Sequence, residues 1–253
     1  MIKKSFIFLD RIGLRKEENL WKQGIKDWDD FVNAKDLFGF SHLTKAMFDD
    51  EIRIARKKLF LEEYDFFTNR MPQNELWRLY NQLKDECCFL DIETSGYYGD
   101  ITVIGIYDGQ ETHMLVRGFN LNGDLLKEIL SRYKMVVTFN GASFDLPIIK
   151  KYFQINFNQV HIDLRHVCSK LGYVGGLKKI EKEMGIKRAD EVSDVSGADA
   201  VYLWQMWRST GDREHLERLI QYNEEDIVNL KPIAERVIRE LWSSRFGLLT
   251  KHF

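Results

Sequence analysis

The chain is poor in cysteine, carries almost no net charge and lacks any long apolar run, and each shortage excludes something. Its three cysteines, Cys87, Cys88 and Cys168, form neither a metal-binding CxxC pair nor a disulfide framework. A reducing cytoplasm is the expected setting. The formal net charge is −2, so no global basic field advertises a polyanionic partner; one would have to be held by a local basic patch or by bound metal. No segment approaches the roughly 18 apolar residues of a membrane span. The basic start, Met1-Ile2-Lys3-Lys4, leads into an apolar stretch that stops at Asp10, too short for a signal peptide. Repeats and low-complexity tracts are also missing.

What is present is ordinary apolar content, plentiful aromatics and 253 residues, enough for one large domain or a domain plus a helical appendage. Residues 1–85 read as helical. A helix from Arg15 to Gln23 stops at Gly24, another starts near Asp27, a long amphipathic one runs from Lys45 to Thr68, and Pro72 opens one more that ends near Asp85. After Glu86 the pattern changes. Strand-like runs at 87–92, 101–107 and 112–117 are separated by Gly, Asp and Asn turns. A helix near 122–132, a strand at 135–139, a helix at 144–152 and a strand at 159–162 follow, and helices continue to about residue 241, the last one long. This order predicts an α/β fold with a mixed sheet over residues 86–245.

The apolar segment beginning at Cys87 ends in Asp91-Ile92-Glu93. Strand side chains alternate, so Asp91 and Glu93 share a face, where two like charges cost stability unless a cation or proton lies between them. The cation suited to an all-oxygen site is Mg²⁺ or Mn²⁺; the other reading is a solvated strand end. Asn140-Gly141-Ala142-Ser143-Phe144-Asp145 follows a second buried strand and opens a helix, so Asp145 falls where open α/β sheets build their sites, or else it only favours the first helical turn. Tyr222 and Asp226 are helix neighbours. At roughly 100° per residue Asp226 lies about 20° from Leu219, on the apolar stripe, while Glu224 and Glu225 point to solvent. An inward acid needs a partner, either a metal or a buried Arg or Lys. Four acids from three elements would suit two-metal phosphodiester hydrolysis, with Tyr222 orienting the attacking water.

These residues resemble the motifs of the DEDD exonucleases of the ribonuclease H-like superfamily: Asp-x-Glu, a later Asn-x-x-x-Phe-Asp, and Tyr-x-x-x-Asp, in that order. The tyrosine marks the DEDDy branch; the histidine branch would need His where Gln221 stands. The likeness is strongest to the bacterial YprB-like branch and extends to Gly175–Glu181, Gly197–Trp207 and Arg70–Arg78. It implies a ribonuclease H-like five-stranded mixed sheet flanked by helices, with the first three strands antiparallel. It also implies 3′→5′ exonuclease activity on DNA or RNA, at single-stranded 3′ ends, with two divalent ions, Mg²⁺ or Mn²⁺. By position, Asp91, Glu93, Asp145 and Asp226 would be metal ligands and Tyr222 would position water. The rival expectation is a non-catalytic nucleic-acid-binding module or a scaffold subunit of a repair or RNA-processing assembly.

Candidate substrate contacts are weaker signals. Lys178, after Gly175-Gly176 at a helix start, reads equally as a phosphate contact or a solvated lysine. Thr94 and Asn140 border the acids and could touch the terminal nucleotide or serve the turns. Phe144 could stack on a base or belong to the core. Asp163 reads first as an N-cap, Trp204 and Trp207 as core. The six histidines, His252 among them, show no ligand spacing. Residues 8–32 resemble half of a helix-hairpin-helix, with Arg11 where the first glycine usually stands; a small helical cap is the favoured reading.

Overall fold

The structure, a computed structural model, describes residues 1–96 and 100–247; His252 lies outside the described residues. The chain divides into two compact units, one of Met1–Gln82 with the chain from Trp242 onward, the other of Leu83–Leu241. Among the described residues no helix is long and apolar enough to cross a membrane.

The first unit is helical. A 3₁₀ turn (Ile2–Lys4) precedes α1 (Leu14–Lys22), α2 (Trp28–Asn33), α3 (His42–Phe60) and α4 (Asp65–Thr68). Arg11 adopts φ 58°, the left-handed region a glycine would favour. The Asp27 side chain caps α2 by accepting from the Asp29 and Asp30 amides, and Ser41 caps α3. The single helix expected from Lys45 to Thr68 is broken: α3 stops at Phe60 and Glu62 takes φ 59° before α4 begins. No Gly or Pro signals the break. The chain turns back so that Tyr64, Phe66 and Phe67 are buried, with Phe67 stacked on Trp28 and both Phe66 and Phe67 against Phe8. The helix expected after Pro72 is also different. It is a 3₁₀ helix (Gln73–Leu79), one turn of α5 (Tyr80–Leu83) and another 3₁₀ turn (Lys84–Glu86). Every residue from Glu75 to Tyr80 is buried, so there is no polar face for an amphipathic α-helix to present. The 3₁₀ geometry also aligns i with i+3 and sets Glu75 beside Arg78, 2.9 Å apart. Arg78 Nη1 donates to both oxygens of Glu17 at 2.8 Å and to the Ser5 hydroxyl at 2.9 Å. Glu75 in turn receives Arg245 at 2.8 Å.

The second unit holds a five-stranded mixed sheet flanked by helices, the expected architecture. Its strands are β1 (Cys87–Thr94), β2 (Ile101–Tyr107), β3 (Thr112–Val116), β4 (Met135–Thr138) and β5 (Val160–Asp163), in the order β3-β2-β1-β4-β5. The β1–β2 and β2–β3 pairs are antiparallel, and the β1–β4 and β4–β5 pairs parallel. The helices are α6 (Gly123–Leu130), α7 (Asp145–Phe153), α8 (Leu164–Ser169), α9 (Leu177–Met184), α10 (Asp190–Ser193), α11 (Gly197–Thr210) and α12 (Arg213–Gly247), the last belonging to this unit up to Leu241.

Central β1 is covered on both faces, which is why its sequence is almost wholly apolar up to the acids. Cys88, Leu90 and Ile92 enter a core with Leu126, Ile129, Leu130 and Ile149 of α6 and α7. The alternate residues Phe89, Asp91 and Glu93 face the other way, toward α12. On that side Val103 and Val116 pack with Trp204, Leu216, Leu219 and Tyr222, so Trp204 is core as expected. The strand runs two residues past its expected end because β2 continues to pair with it, to Thr94 opposite Ile101, across an irregularity between Glu93 and Thr94.

Replacing Arg78 by Ala would leave Glu17 and Glu75 buried without their shared cation. Such a loss costs about 3–5 kcal/mol. Urea unfolding of Arg78→Ala against wild type is expected to show a destabilisation of that size; a change within error would show the cluster to be energetically neutral.

Candidate active site

Two elements bring the central acids together. Strand β1 presents Asp91 and Glu93 to the face covered by α12, and α12 presents Tyr222, Asn223 and Asp226 from one buried stripe. Carboxylate oxygens of Asp91, Glu93 and Asp226 all lie within 4.8 Å of one another. Glu93 and Asp226 are buried and Asp91 is half-buried. The close approach of α12 rests on Gly105, which sits opposite Asp91 in β2. A Cβ there would stand 2.2 Å from Asn223 Oδ1. With that space open, Asn223 reaches across and its Nδ2 donates to Asp91 Oδ2 at 2.8 Å.

Asp145 arrives from the β4–α7 turn. Strand β4 stops at Thr138, and the next ladder acceptor for β1 would otherwise be missing. Asp145 Oδ1 accepts the Ile92 amide at 3.0 Å and so stands in for the absent strand. The turn is tight: Asn140 takes φ 66°, and a Cβ on Gly141 would meet Thr138 Oγ1 at 2.3 Å. Asp163 holds it, accepting from the amides of Asn140 (2.8 Å) and Ala142 (3.1 Å) while also capping α8 through Arg165 N. The N-cap reading of Asp163 therefore captured half of its role. Asp145 is buried beside the cluster of three and outside the 4.8 Å group.

Charge crowding dominates this region. Two like charges at 4.8 Å repel by roughly 3–4 kcal/mol at an effective dielectric near 20. Desolvation, then the charges of Asp145 and Asp226, push the Asp91 carboxyl well above the usual range; desolvation, then Asp226 and Asp145, do the same to Glu93. Burial raises Asp145 to about 7 against the pull of amide hydrogen bonds, chief among the other contacts that of Ile92. Asp226 is raised to about 6 by burial, moderated by the charge of Arg188 and the hydrogen bond that Arg188 donates. Burial also raises the Tyr222 phenol, with the neighbouring acids adding to it; it stays protonated, a hydrogen-bond donor.

A buried arginine is the largest element that the sequence did not disclose. Arg188, between α9 and α10, pairs with Glu181 at 2.6 Å and 2.8 Å and with Asp226. The alternative of a buried basic partner for Asp226 is thus realised. One positive charge shared between Asp226 and Glu181 nevertheless leaves Asp91, Glu93 and Asp145 in excess. Asp226 Oδ1 lies against Arg188 Nη2. An all-oxygen donor set of three acids within 4.8 Å of one another, with a fourth beside them and one arginine to balance them, fits a hard divalent cation such as Mg²⁺ or Mn²⁺. Asp91, Glu93 and Asp226 could hold it directly, with Asp145 alongside.

The expected substrate contacts are placed less uniformly. Lys178 Nζ donates to Ser193 O at 3.2 Å and stands 5.2 Å from the centroid of the Tyr222 ring, which puts it at the edge of the cluster. Phe144 is exposed at the start of α7. Thr94 is half-buried and accepts the Gly96 amide at 3.4 Å. The Asn140 side chain accepts from Arg165 at 2.6 Å and from Ser143 at 3.0 Å, so it serves its turn. The solvent-facing reading of Glu224 and Glu225 is corrected. Both are half-buried; Glu224 receives the Thr112 hydroxyl at 2.8 Å and Glu225 lies 3.4 Å from the Ala189 amide. Neighbours cover α12 on more than its apolar stripe. Asn223, Glu181 and Arg188 were all missed. Asn223 alone carried a signal, since it adjoins Tyr222 and falls one turn before Asp226.

With this geometry in view, the comparisons with known proteins are informative. No curated protein matches the chain. A solved structure of RNase D from Escherichia coli, an exoribonuclease involved in structured RNA processing, is similar at 20% identity with a TM-score of 0.47. The match covers 70% of this chain and 46% of that one, so the chain spans less than half the length of that protein. The family model of the RNase H superfamily matches residues 88–238, which takes in β1 with Asp91 and Glu93, the Asp145 turn and the Tyr222–Asp226 turn of α12. The chain belongs to the RNase H superfamily.

Proposed function

We propose that the protein is a nuclease, a divalent-metal-dependent 3′→5′ exonuclease of the DEDDy kind and of the YprB-like branch, acting on single-stranded ends of DNA or RNA. The observation that carries this reading is the convergence of Asp91, Glu93 and Asp226 within 4.8 Å, with Tyr222 one turn before Asp226 on the buried side of α12. Asp145 completes the set of four acids. Two bound Mg²⁺ or Mn²⁺ ions would supply an activated water and charge stabilisation of the leaving oxygen. The protein's own groups do the rest. Asn223 fixes the rotamer of Asp91, the Ile92 amide fixes Asp145, and Tyr222, kept protonated, orients the water by hydrogen bond. Lys178, Thr94, Asn140 and Phe144 are the proposed contacts to the terminal nucleotide.

The Arg188–Asp226 pair favours a second reading, a non-catalytic nucleic-acid-binding module or scaffold subunit whose acids are neutralised internally. Degradation of 5′-labelled and 3′-labelled DNA and RNA with Mg²⁺ or Mn²⁺ separates the two. The first reading expects stepwise shortening from the 3′ end and none of circular substrates. Asp226→Ala is expected to lose roughly 10²-fold or more in rate, the scale of one lost electrostatic group. Tyr222→Phe is expected to lower kcat roughly 10²-fold, the scale of misoriented reactants, with KM little changed. Full activity in Asp226→Ala would sink the exonuclease reading.

The raised carboxyls also set a pH dependence. Between the unfolded carboxyl value, about 4, and the folded values of about 6 for Asp226 and about 7 for Asp145, the folded chain holds more protons than the unfolded one. Stability of the metal-free protein therefore falls as pH rises through that window. Thermal melts in EDTA are expected to show the Tm dropping from pH 4 to pH 7, and Mn²⁺ at pH 8 to raise it again. A Tm indifferent to Mn²⁺ would count against a metal site.

A further inference from the structure

Arg188 is the charged group that the exonuclease reading leaves without a task. Its side chain is 4% exposed. Glu181 grips it as a fork, Nε to Oε2 at 2.6 Å and Nη2 to Oε1 at 2.8 Å, and Asn229 Nδ2 steadies that same Oε1 at 3.0 Å. The guanidinium lies 5.6 Å from the centroid of the Tyr222 ring. Nη2 is shared with Asp226 Oδ1, and Nη1 is buried with no acceptor.

Asp226 Oδ1 is balanced by Arg188 Nη2, whereas Arg188 Nη1 has donors but no acceptor. A buried guanidinium with spare N–H groups is built to grip an oxyanion, phosphate above all. A divalent cation on Asp226 would free the guanidinium edge that faces it, and a phosphate oxygen on Nη1 would supply the acceptor it lacks.

Resting on the metal-site reading above, we propose that Arg188 is the resident counter-ion of Asp226 in the metal-free protein and donates to the substrate phosphate once a divalent cation takes Asp226. Glu181 and Asn229 hold the guanidinium in place through the exchange, so the positive charge changes partner without travelling. Arg188 therefore sets two opposed quantities. It competes with metal for Asp226, and it adds to the binding of phosphate in the loaded site.

Titration calorimetry on the full chain tests this with Mn²⁺ as the first probe and adenosine 5′-monophosphate, added to Mn²⁺-saturated protein, as the second. Arg188→Gln is expected to bind Mn²⁺ roughly tenfold more tightly and the nucleotide roughly tenfold more weakly, the scale of one charge-assisted hydrogen bond. The double variant Arg188→Gln, Glu181→Gln, which leaves no buried carboxylate unpaired at 181, is expected to behave alike, and circular dichroism reports its folding. Arg188→Lys, which keeps the charge and loses the fork, is expected to hold Mn²⁺ affinity near wild type while nucleotide affinity falls. Unchanged or weaker Mn²⁺ binding in the Gln variants overturns the counter-ion role, and unchanged nucleotide binding overturns the phosphate role. Absence of Mn²⁺ binding by the wild type overturns the metal-site reading itself, and this inference with it.

Discussion

Carboxylates forced together beside the central strand repel one another, and much of the second unit is arranged around that cost. Asp91 and Glu93 face α12 because a strand alternates its side chains, and Asp226 meets them because α12 buries the stripe it belongs to. Neighbours then restrain three of the acids: Asn223 holds Asp91, the Ile92 amide holds Asp145, and Arg188 holds Asp226. Such restraint keeps the negative charge from relaxing apart. A fold would dissipate that repulsion unless the charge has a use.

Arg188 sharpens the choice between catalysis and scaffold. A buried pair is weak evidence for stability, because desolvation offsets most of the attraction. Here the arginine is also divided between two acids, with Glu181 holding it in the better geometry. Full neutralisation would need a second cation.

The sequence disclosed what periodicity can carry. The spacing of Asp91 and Glu93 shows in a two-residue repeat, and the inward turn of Asp226 and Tyr222 in a helical one, so the acids and the mixed α/β character of the fold are legible before any coordinate. Arg188 is not, because it lies in a loop where no repeat assigns a direction. Asn223 was within reach but needed the knowledge that Gly105 lies opposite, a contact between distant segments. The outward reading of Glu224 and Glu225 failed since a helical wheel counts one covered face and α12 has more. The break after Phe60 and the 3₁₀ run before β1 carry no Gly or Pro signal inside them; burial of Tyr64, Phe66 and Phe67, and of everything from Glu75 to Tyr80, decides both.

Gly105 and Asn223 have a consequence for descent. The space one residue leaves is the space the other fills, so a methyl group at 105 would force the Asn223 amide to shift. Neither position can drift alone without disturbing Asp91. Among divergent chains of this fold the two should therefore change in concert, glycine with a long polar residue and larger residues with a short one.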